Sequence, residues 1–175
     1  MAKVITGKVR FSYAHVFEPS SIVEGGTKKY SVSLIIPKSD TKTLEKFEAA
    51  QKEAIEEGKS KWGGKIPKNL KLPLRDGDEE RPDDEAYKNS WFVNASSTTK
   101  PGLVDADVNP ILDREDFYSG CFGKASINLY AFNVSGNQGI AAGLNNLQKT
   151  HDGDKLSGGS TASEDFGKDV DDMMG

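Results

Sequence analysis

Residues 119–149, SGCFGKASINLYAFNVSGNQGIAAGLNNLQK, constrain the fold more than any other stretch. From 121 to 134 the chain alternates as a long strand does, with Cys121, Gly123, Ala125, Ile127, Leu129 and Ala131 on one side and Phe122, Lys124, Ser126, Asn128, Tyr130 and Phe132 on the other. Ser135-Gly136-Asn137-Gln138-Gly139 is turn chemistry, because glycine and asparagine tolerate positive φ. The chain is therefore expected to return as a second strand through Ile140, Ala142 and Leu144. A long hairpin results, and the rest of the fold must be built on it.

The mixed side of that strand interleaves one cation and three aromatic rings with small hydrogen-bonding groups. Such a face suits a single-stranded nucleic acid, since rings stack on bases and lysine meets phosphate. The competing reading is that Phe122, Tyr130 and Phe132 are barrel core, because Ile127 and Leu129 make both faces partly apolar in the second half. Sequence alone leaves the two open.

Charge bears on the choice. The 175 residues carry a formal net charge of −4, unpromising for a nucleic-acid binder. From Asp152 onward the net is −5, which leaves the remainder at +1. Binding would then rest on local clusters and stacking rather than on gross charge. The lone Cys121 excludes a disulfide framework within the chain, and with only His15 and His151 beside it no zinc site of usual spacing can be assembled. No cofactor is expected. No apolar run approaches the roughly 20 residues of a membrane span, so no membrane association is expected and the setting is read as cytoplasmic.

Taken in order, residues 4–17 read as a strand with Val9, Phe11 and Tyr13 on one face and Lys8, Arg10 and Ser12 on the other. It pairs with a strand at 29–36, whose Tyr30, Val32, Leu34 and Ile36 face the core and which Pro37 closes. The loop between them brings Lys28 and Lys29 to the restart. Asp40 is the expected N-cap of a helix over 41–57 ending at Gly58, with Leu44, Phe47, Ala50, Ala54 and Ile55 in one apolar stripe. Residues 59–89 divide into a basic arm, where Lys59, Lys61, Lys65, Lys68 and Lys71 surround Trp62, and a strongly acidic half expected to be solvated. The arm reads as a mobile cationic loop whose tryptophan stacks on a base, or as an ordinary loop with Trp62 tucked onto the core. A further strand is expected at 91–97 and a short helical turn at 112–117. Beyond Thr150 the composition turns to Gly, Ser and Asp with few large apolar residues, too little to bury, and residues 151–175 read as a disordered acidic tail behind a single domain at 1–150.

Other motifs fail on spacing. GKSKWGGK separates its flanking glycines by five residues rather than the four of a phosphate loop, and Ile66 stands where magnesium would need Ser or Thr. DGDEERPDDE begins like a calcium loop but has Arg81 in place of the sixth-position glycine. The carboxylates of 105–116 lack an accompanying catalytic His or Lys pattern. No catalytic residue is assigned.

FSYAHVFEP, KYSVSLIIPKSD, LPLRDGDEERPDDEAY, KPGLVD and SGCFGKASINLYAFNVSGNQGIAAGLNNLQK follow one another in this order. Together they resemble a bacteriophage single-stranded DNA-binding family long catalogued as a domain of unknown function, over nearly the whole chain to Lys149. The resemblance implies an OB-type barrel that coats single-stranded DNA in phage replication or recombination, with an acidic carboxyl tail, in the cytoplasm of an infected bacterial host. Short antiparallel strands with one packed helix agree with such a mainly β, OB-fold-like antiparallel barrel. Only two clear strands precede the helix, however, so the long first strand must bend and serve twice. The chain ends Met173-Met174-Gly175, where the best-known single-stranded DNA-binding proteins end in an aromatic residue; Phe166 is the nearest substitute.

The expected phosphate contacts are Lys8, Arg10, Lys28, Lys29, Lys61, Lys65 and Lys124, and the expected stacking residues are Trp62, Phe122, Tyr130 and Phe132. Glu164, Asp165, Phe166, Asp169, Asp171 and Asp172 are the expected tail residues for competing with DNA and recruiting phage or host replication and recombination proteins. A homo-oligomer on DNA is a further possible partner state. The alternatives are a non-enzymatic accessory or structural β-protein that binds another protein and, third, a metal-dependent nuclease.

Overall fold

The long amino-terminal strand breaks at Thr6-Gly7-Lys8 in the computed structural model, which describes residues 2–21 and 25–156. Two strands result, β1 (Ala2–Ile5) and β2 (Val9–Ser20). The break is a docking point. Gly7 N donates to Thr43 Oγ1 at 2.9 Å, and Thr43 Oγ1 donates to Asp40 Oδ2 at 2.6 Å. A Cβ at position 7 would stand 2.9 Å from Asp40 Oδ2, so glycine lets the strand turn against the helix start.

The chain continues through β3 (Lys29–Pro37), α1 (Thr41–Gly58), a 3₁₀ turn (Lys59–Trp62), β4 (Arg75–Asp76), α2 (Gly77–Glu80) and a second 3₁₀ turn (Glu85–Tyr87). It then forms β5 (Ser90–Ser97), β6 (Gly102–Val104), a third 3₁₀ turn (Arg114–Asp116), β7 (Phe122–Val134) and β8 (Asn137–His151). Asp40 caps α1 as expected, its Oδ1 accepting from Thr43 N at 3.2 Å.

Five strands close into a barrel. β2 pairs with β3, β3 with β5, β8 with β7 and β7 with β2, all antiparallel, while β5 and β8 run parallel. This is the OB-type closure. β1 extends the far edge of β7, β6 adds to β8 and β4 to β5. Phe11, Leu34, Ile36, Val93, Ile127, Leu129 and Leu147 fill the interior, and Phe47, Ala50 and Ala54 of α1 pack on the same core. Each large side chain so buried contributes about 1.5 to 3 kcal/mol relative to exposure.

Three segments depart from expectation. Tyr13 does not share the buried side with Val9 and Phe11: the β2–β3 register shifts between Ser12 and His15, and Tyr13 emerges 43% exposed with φ 47°. The acidic half of 59–89 is anchored rather than merely solvated. Its Tyr87 is fully buried, meets Phe92 edge-on with ring centres 5.2 Å apart, and donates its hydroxyl to Ser33 Oγ at 3.0 Å. Beyond β8 the chain stays on the fold through Leu156, whose N donates to Ser119 O at 2.9 Å and whose side chain packs against the cluster of Ile35, Tyr87 and Phe92. The expected tail residues Glu164, Asp165, Phe166, Asp169, Asp171 and Asp172 lie outside the described residues. Among the described residues no helix is long and apolar enough to cross a membrane.

Candidate nucleic-acid interface

β7 turns its two sides as the alternation predicts. Gly123, Ala125, Ile127, Leu129 and Ala131 are buried; Phe122, Ser126, Asn128, Tyr130 and Phe132 are half-buried at the surface and Lys124 is exposed. The three rings are therefore not barrel core. Across the hairpin the outward rings meet small residues, because Asn128, Tyr130 and Phe132 pair with Gly143, Ala141 and Gly139. A Cβ at Gly143 would stand 3.5 Å from Tyr130 Cε1, and one at Gly139 would stand 3.0 Å from Phe132 Cε1. Tyr130 leans over Gly143, whereas Phe132 shares the space over Gly139 with Lys71, whose Cβ would stand 2.8 Å from a Cβ there.

At the other end of the strand, Arg10 pairs with Phe122 across β2 and β7, and two predicted cations converge on that ring. Lys8 Nζ lies 5.2 Å and the Arg10 guanidinium 5.3 Å from its centroid, inside the range of cation–π attraction. A groove of about 490 Å³ lined by Lys8, Arg10, Ile35, Ser39 and Phe122 opens beside them. Arg10 is fixed by carbonyls: its Nε donates to Gly120 O at 3.1 Å and its Nη2 to Asp154 O at 2.7 Å. The segment that supplies Asp154 also crosses Phe122, since a Cβ on Gly153 would come within 2.7 Å of Phe122 Cε2.

The basic arm is not a mobile stacking element. Trp62 is 8% exposed within the main core and its Nε1 donates to Phe132 O at 3.0 Å. Gly58 makes room for it; a Cβ there would stand 2.9 Å from Trp62 Cη2 and 2.4 Å from Ala131 Cβ. A large ring that satisfies its single N–H inside the fold is a structural peg. Lys61 Nζ donates to Ala131 O at 2.9 Å, which sets its charge beside a second groove of about 490 Å³ lined by Lys61, Tyr130, Phe132 and Val134. Lys65 is exposed further along the arm, and Lys28 and Lys29 are exposed where the chain re-enters β3. The structure thus gathers Lys8, Arg10 and Phe122 at one end of β7 and Lys61, Tyr130 and Phe132 at the other, with Lys124 between them on the strand.

Two further lysines join this surface that sequence reasoning missed. Lys3 pairs with Asn128 through β1, and with Lys100, Ser97, Ser126, Asn145 and Asn146 it lines a polar groove of about 520 Å³. Asn145 of this lining accepts at Oδ1 from Asn128 Nδ2 at 3.2 Å. Lys3 was readable, because it alternates with buried Ala2 and Val4; Lys100 was not, since its position depends on the pairing of β6 with β8.

Electrostatics tie the strand ends to the last described segment. Asp152 Oδ1 accepts from Lys149 Nζ at 2.6 Å and from Tyr118 OH at 2.8 Å, and these bonds hold its carboxyl below the ordinary carboxylate value. Burial works against the Lys149 charge, but the Asp152 carboxylate outweighs it and keeps that amine above its ordinary value. Burial also pushes the Tyr118 phenol and the Cys121 thiol up, so Cys121 is an inert core thiol. The carboxylates of 105–116 are used locally: Asp105 Oδ1 accepts from Asp107 N and Asn109 N, and Asp113 Oδ1 accepts from Glu115 N. Among the described residues no three His, Cys, Asp or Glu side chains are grouped to hold a metal ion.

Comparison with known proteins gives one consistent picture. A family model described as Enterobacter phage Enc34, ssDNA-binding protein, matches residues 2–174. A protein of Acyrthosiphon pisum secondary endosymbiont phage 1, putative protein p50, is 31% identical over 94% of this chain and 92% of its own length. Among solved structures, the single-stranded DNA-binding protein of bacteriophage Enc34 in complex with ssDNA superposes with a TM-score of 0.77 at 25% identity, covering 89% of this chain and 90% of that one. The single-stranded DNA-binding protein gp2.5 of bacteriophage T7 shares the fold, with a TM-score of 0.63 at 14% identity over 93% of each chain.

Proposed function

The chain belongs to the Enc34 phage single-stranded DNA-binding protein family, and from that membership together with the outward ring-and-cation face of β7 we infer that it binds single-stranded DNA. The reading is sequence-tolerant coating of exposed strands during phage replication or recombination, without catalysis, in the cytoplasm of an infected bacterial host. Phe122, Tyr130 and Phe132 stack on bases; Lys8, Arg10 and Lys124 meet phosphates along β7, and Lys28, Lys29, Lys61 and Lys65 extend the cationic margin. Trp62 has no contact role. One observation carries this assignment: two cations flank Phe122 within 5.3 Å on the same outward side that holds Lys124 and Tyr130.

Stacking contributes about 1 to 3 kcal/mol per base, and phosphate contacts make affinity fall with salt. Titration of labelled oligo-dT at low salt should show saturable binding that weakens as salt rises. No binding at low salt would reject the reading. Incubating single- and double-stranded DNA with magnesium on the same gel tests the rivals, since cleavage would favour the nuclease and indifference the protein-binding accessory.

The acidic residues 157–175 compete with DNA for the cationic face and recruit replication or recombination proteins, and copies of the chain contact one another along a coated strand. Support for the competition comes from the segment that precedes the tail, which crosses Phe122 and occupies Arg10 before reaching Leu156. A tethered anion beside a cationic groove acts at high effective concentration. Removing residues 157–175, with the anchored 152–156 kept, should tighten oligo-dT binding most at low salt. Unchanged affinity across salt concentrations would reject the competition.

A further inference from the structure

Tyr13 is displayed where the strand pattern would bury it. The bulge between Ser12 and His15 re-aims it, at a φ of 47° that a bulky aromatic residue rarely adopts. Bulges of this kind concentrate beside functional sites, and a backbone held in a sparsely populated region must be over-determined by its surroundings. Here the surroundings are visible. The Arg81 guanidinium lies 5.3 Å from the Tyr13 ring centre and, on the same cation, 4.9 and 5.0 Å from the ring centres of Tyr87 and Phe92. Tyr87 and Phe92 are buried, and Tyr87 is bonded to Ser33 of β3. Arg81 Nε is itself buried with no hydrogen-bond partner. A guanidinium placed among three rings, with its Nε left unsatisfied, positions the exposed ring rather than serving as a surface charge.

The location matches that use. OB-type barrels take nucleic acid across their second and third strands and the adjoining loops, and in this barrel those strands are β3 and β5, where Ser33 and Phe92 lie buried beneath Tyr87 and Tyr13 is left as the exposed ring beside that cover. Tyr13 stands beside them on β2. We propose that Tyr13 is a base-stacking platform for one unpaired nucleobase, separate from the rings of β7, and that Arg81 is its positioning residue. The proposal rests on the reading that the chain binds single-stranded DNA. The strained bulge keeps the ring off the core, and the cation fixes its orientation, so little side-chain freedom is lost when a base arrives.

The test compares Tyr13→Ala and Tyr13→Phe with the full-length protein on oligo-dT and on an abasic oligomer of equal length, at one salt concentration. Tyr13→Ala should weaken oligo-dT binding about 5- to 150-fold. It should leave abasic binding unchanged, and Tyr13→Phe should bind as the unmodified protein does. Equal losses on both oligomers would mean that the ring acts structurally and would overturn the platform, as would full oligo-dT affinity in Tyr13→Ala. Failure of the unmodified protein to bind oligo-dT would instead overturn the broader function and the platform with it. Should Tyr13→Ala not fold, Tyr13→Trp gives the same answer: oligo-dT should quench its added indole fluorescence, and an unquenched indole would overturn the platform.

Discussion

Residues 59–71 and 75–90 both leave the barrel between α1 and β5, and each buries one large aromatic ring, yet the two rings do different things. Trp62 pegs the first excursion near its start by filling a space opened by Gly58 and bonding Phe132 O, so the lysines that follow hang from a peg in the core. Tyr87 ends the second by bonding Ser33 on the outward side of β3, and Arg81 then lies against it and against exposed Tyr13. Net charge told little about either role. The basic arm is pegged by one indole at its start and tied to β8 through Lys71 at its end, and the acidic segment carries the cation that lies against an outward ring. A segment's charge governs where its backbone is solvated; its single aromatic anchor governs what it brings to the surface.

The largest effect expected from this contrast is on stability. Trp62→Ala removes a core ring together with the N–H that bonds Phe132 O, and should cost about 3 to 5 kcal/mol in urea unfolding. Binding by the molecules that remain folded should be little changed. A stable Trp62→Ala protein with impaired oligo-dT affinity would return the arm to the stacking role and break the contrast. Tyr87→Phe is milder. It keeps the ring beneath Arg81 but strands the Ser33 hydroxyl, which is 2% exposed, so a loss of about 1 to 3 kcal/mol should appear in the same unfolding assay. An unchanged stability would show that the hydroxyl bond does not anchor the segment.

What was legible in the sequence was whatever depends on neighbours a few residues away. The alternation of β7, the Asp40 cap of α1, the Pro37 stop of β3 and the hairpin glycines each follow from local chemistry, and the OB-type barrel was implied by the family resemblance, with which those elements agree. What was hidden depends on partners far along the chain. Trp62 is buried because a carbonyl 70 residues away accepts its N–H. Tyr13 is exposed because β3 sets a register that β2 can satisfy only by bulging. Residues 152–156 read as tail by composition, yet the bond from Leu156 N to Ser119 O and the bond from Arg10 Nη2 to Asp154 O hold them on the fold. The outward side of β7 was therefore readable, and the exposure of Tyr13 beside β3 was not.

The lysines of the arm give a smaller and purely electrostatic test of the same contrast. If Lys65 and Lys68 hang free of the core and meet phosphates, replacing both by alanine should reduce the slope of log affinity against log salt by about 0.7 for each phosphate no longer neutralised. Unfolding should shift by no more than about 0.5 kcal/mol, as for other surface substitutions. A marked stability loss with an unchanged salt slope would show that these lysines support the arm instead of binding DNA.

The smallest effect concerns the segment that links the end of β8 to the acidic segment's cluster. Asp152 accepts from Lys149 and Tyr118, and its folded carboxyl lies below the ordinary value, so the folded state binds its proton less readily than the unfolded chain does. The resulting stabilisation is present above the ordinary carboxylate range and is lost as pH falls through the lowered folded value. Lys149 sets the opposite limit: its raised amine contributes fully below the ordinary lysine value and ceases to contribute as pH rises through the folded one. Asp152→Asn should therefore melt slightly below the unmodified protein at neutral pH, and the two melting temperatures should converge on acidification. Because Leu156 reaches Tyr87 and Phe92 while Trp62 is bonded to Phe132 on β7, the loss should loosen the cluster beneath Arg81 and leave the arm alone. Amide exchange should accordingly quicken at Leu156, whose N–H is bonded to Ser119 O, and not at Gly64, whose N–H is bonded to Lys59 O. Equal quickening at both sites would mean that the two segments share one cooperative unit, and the contrast between them would fail.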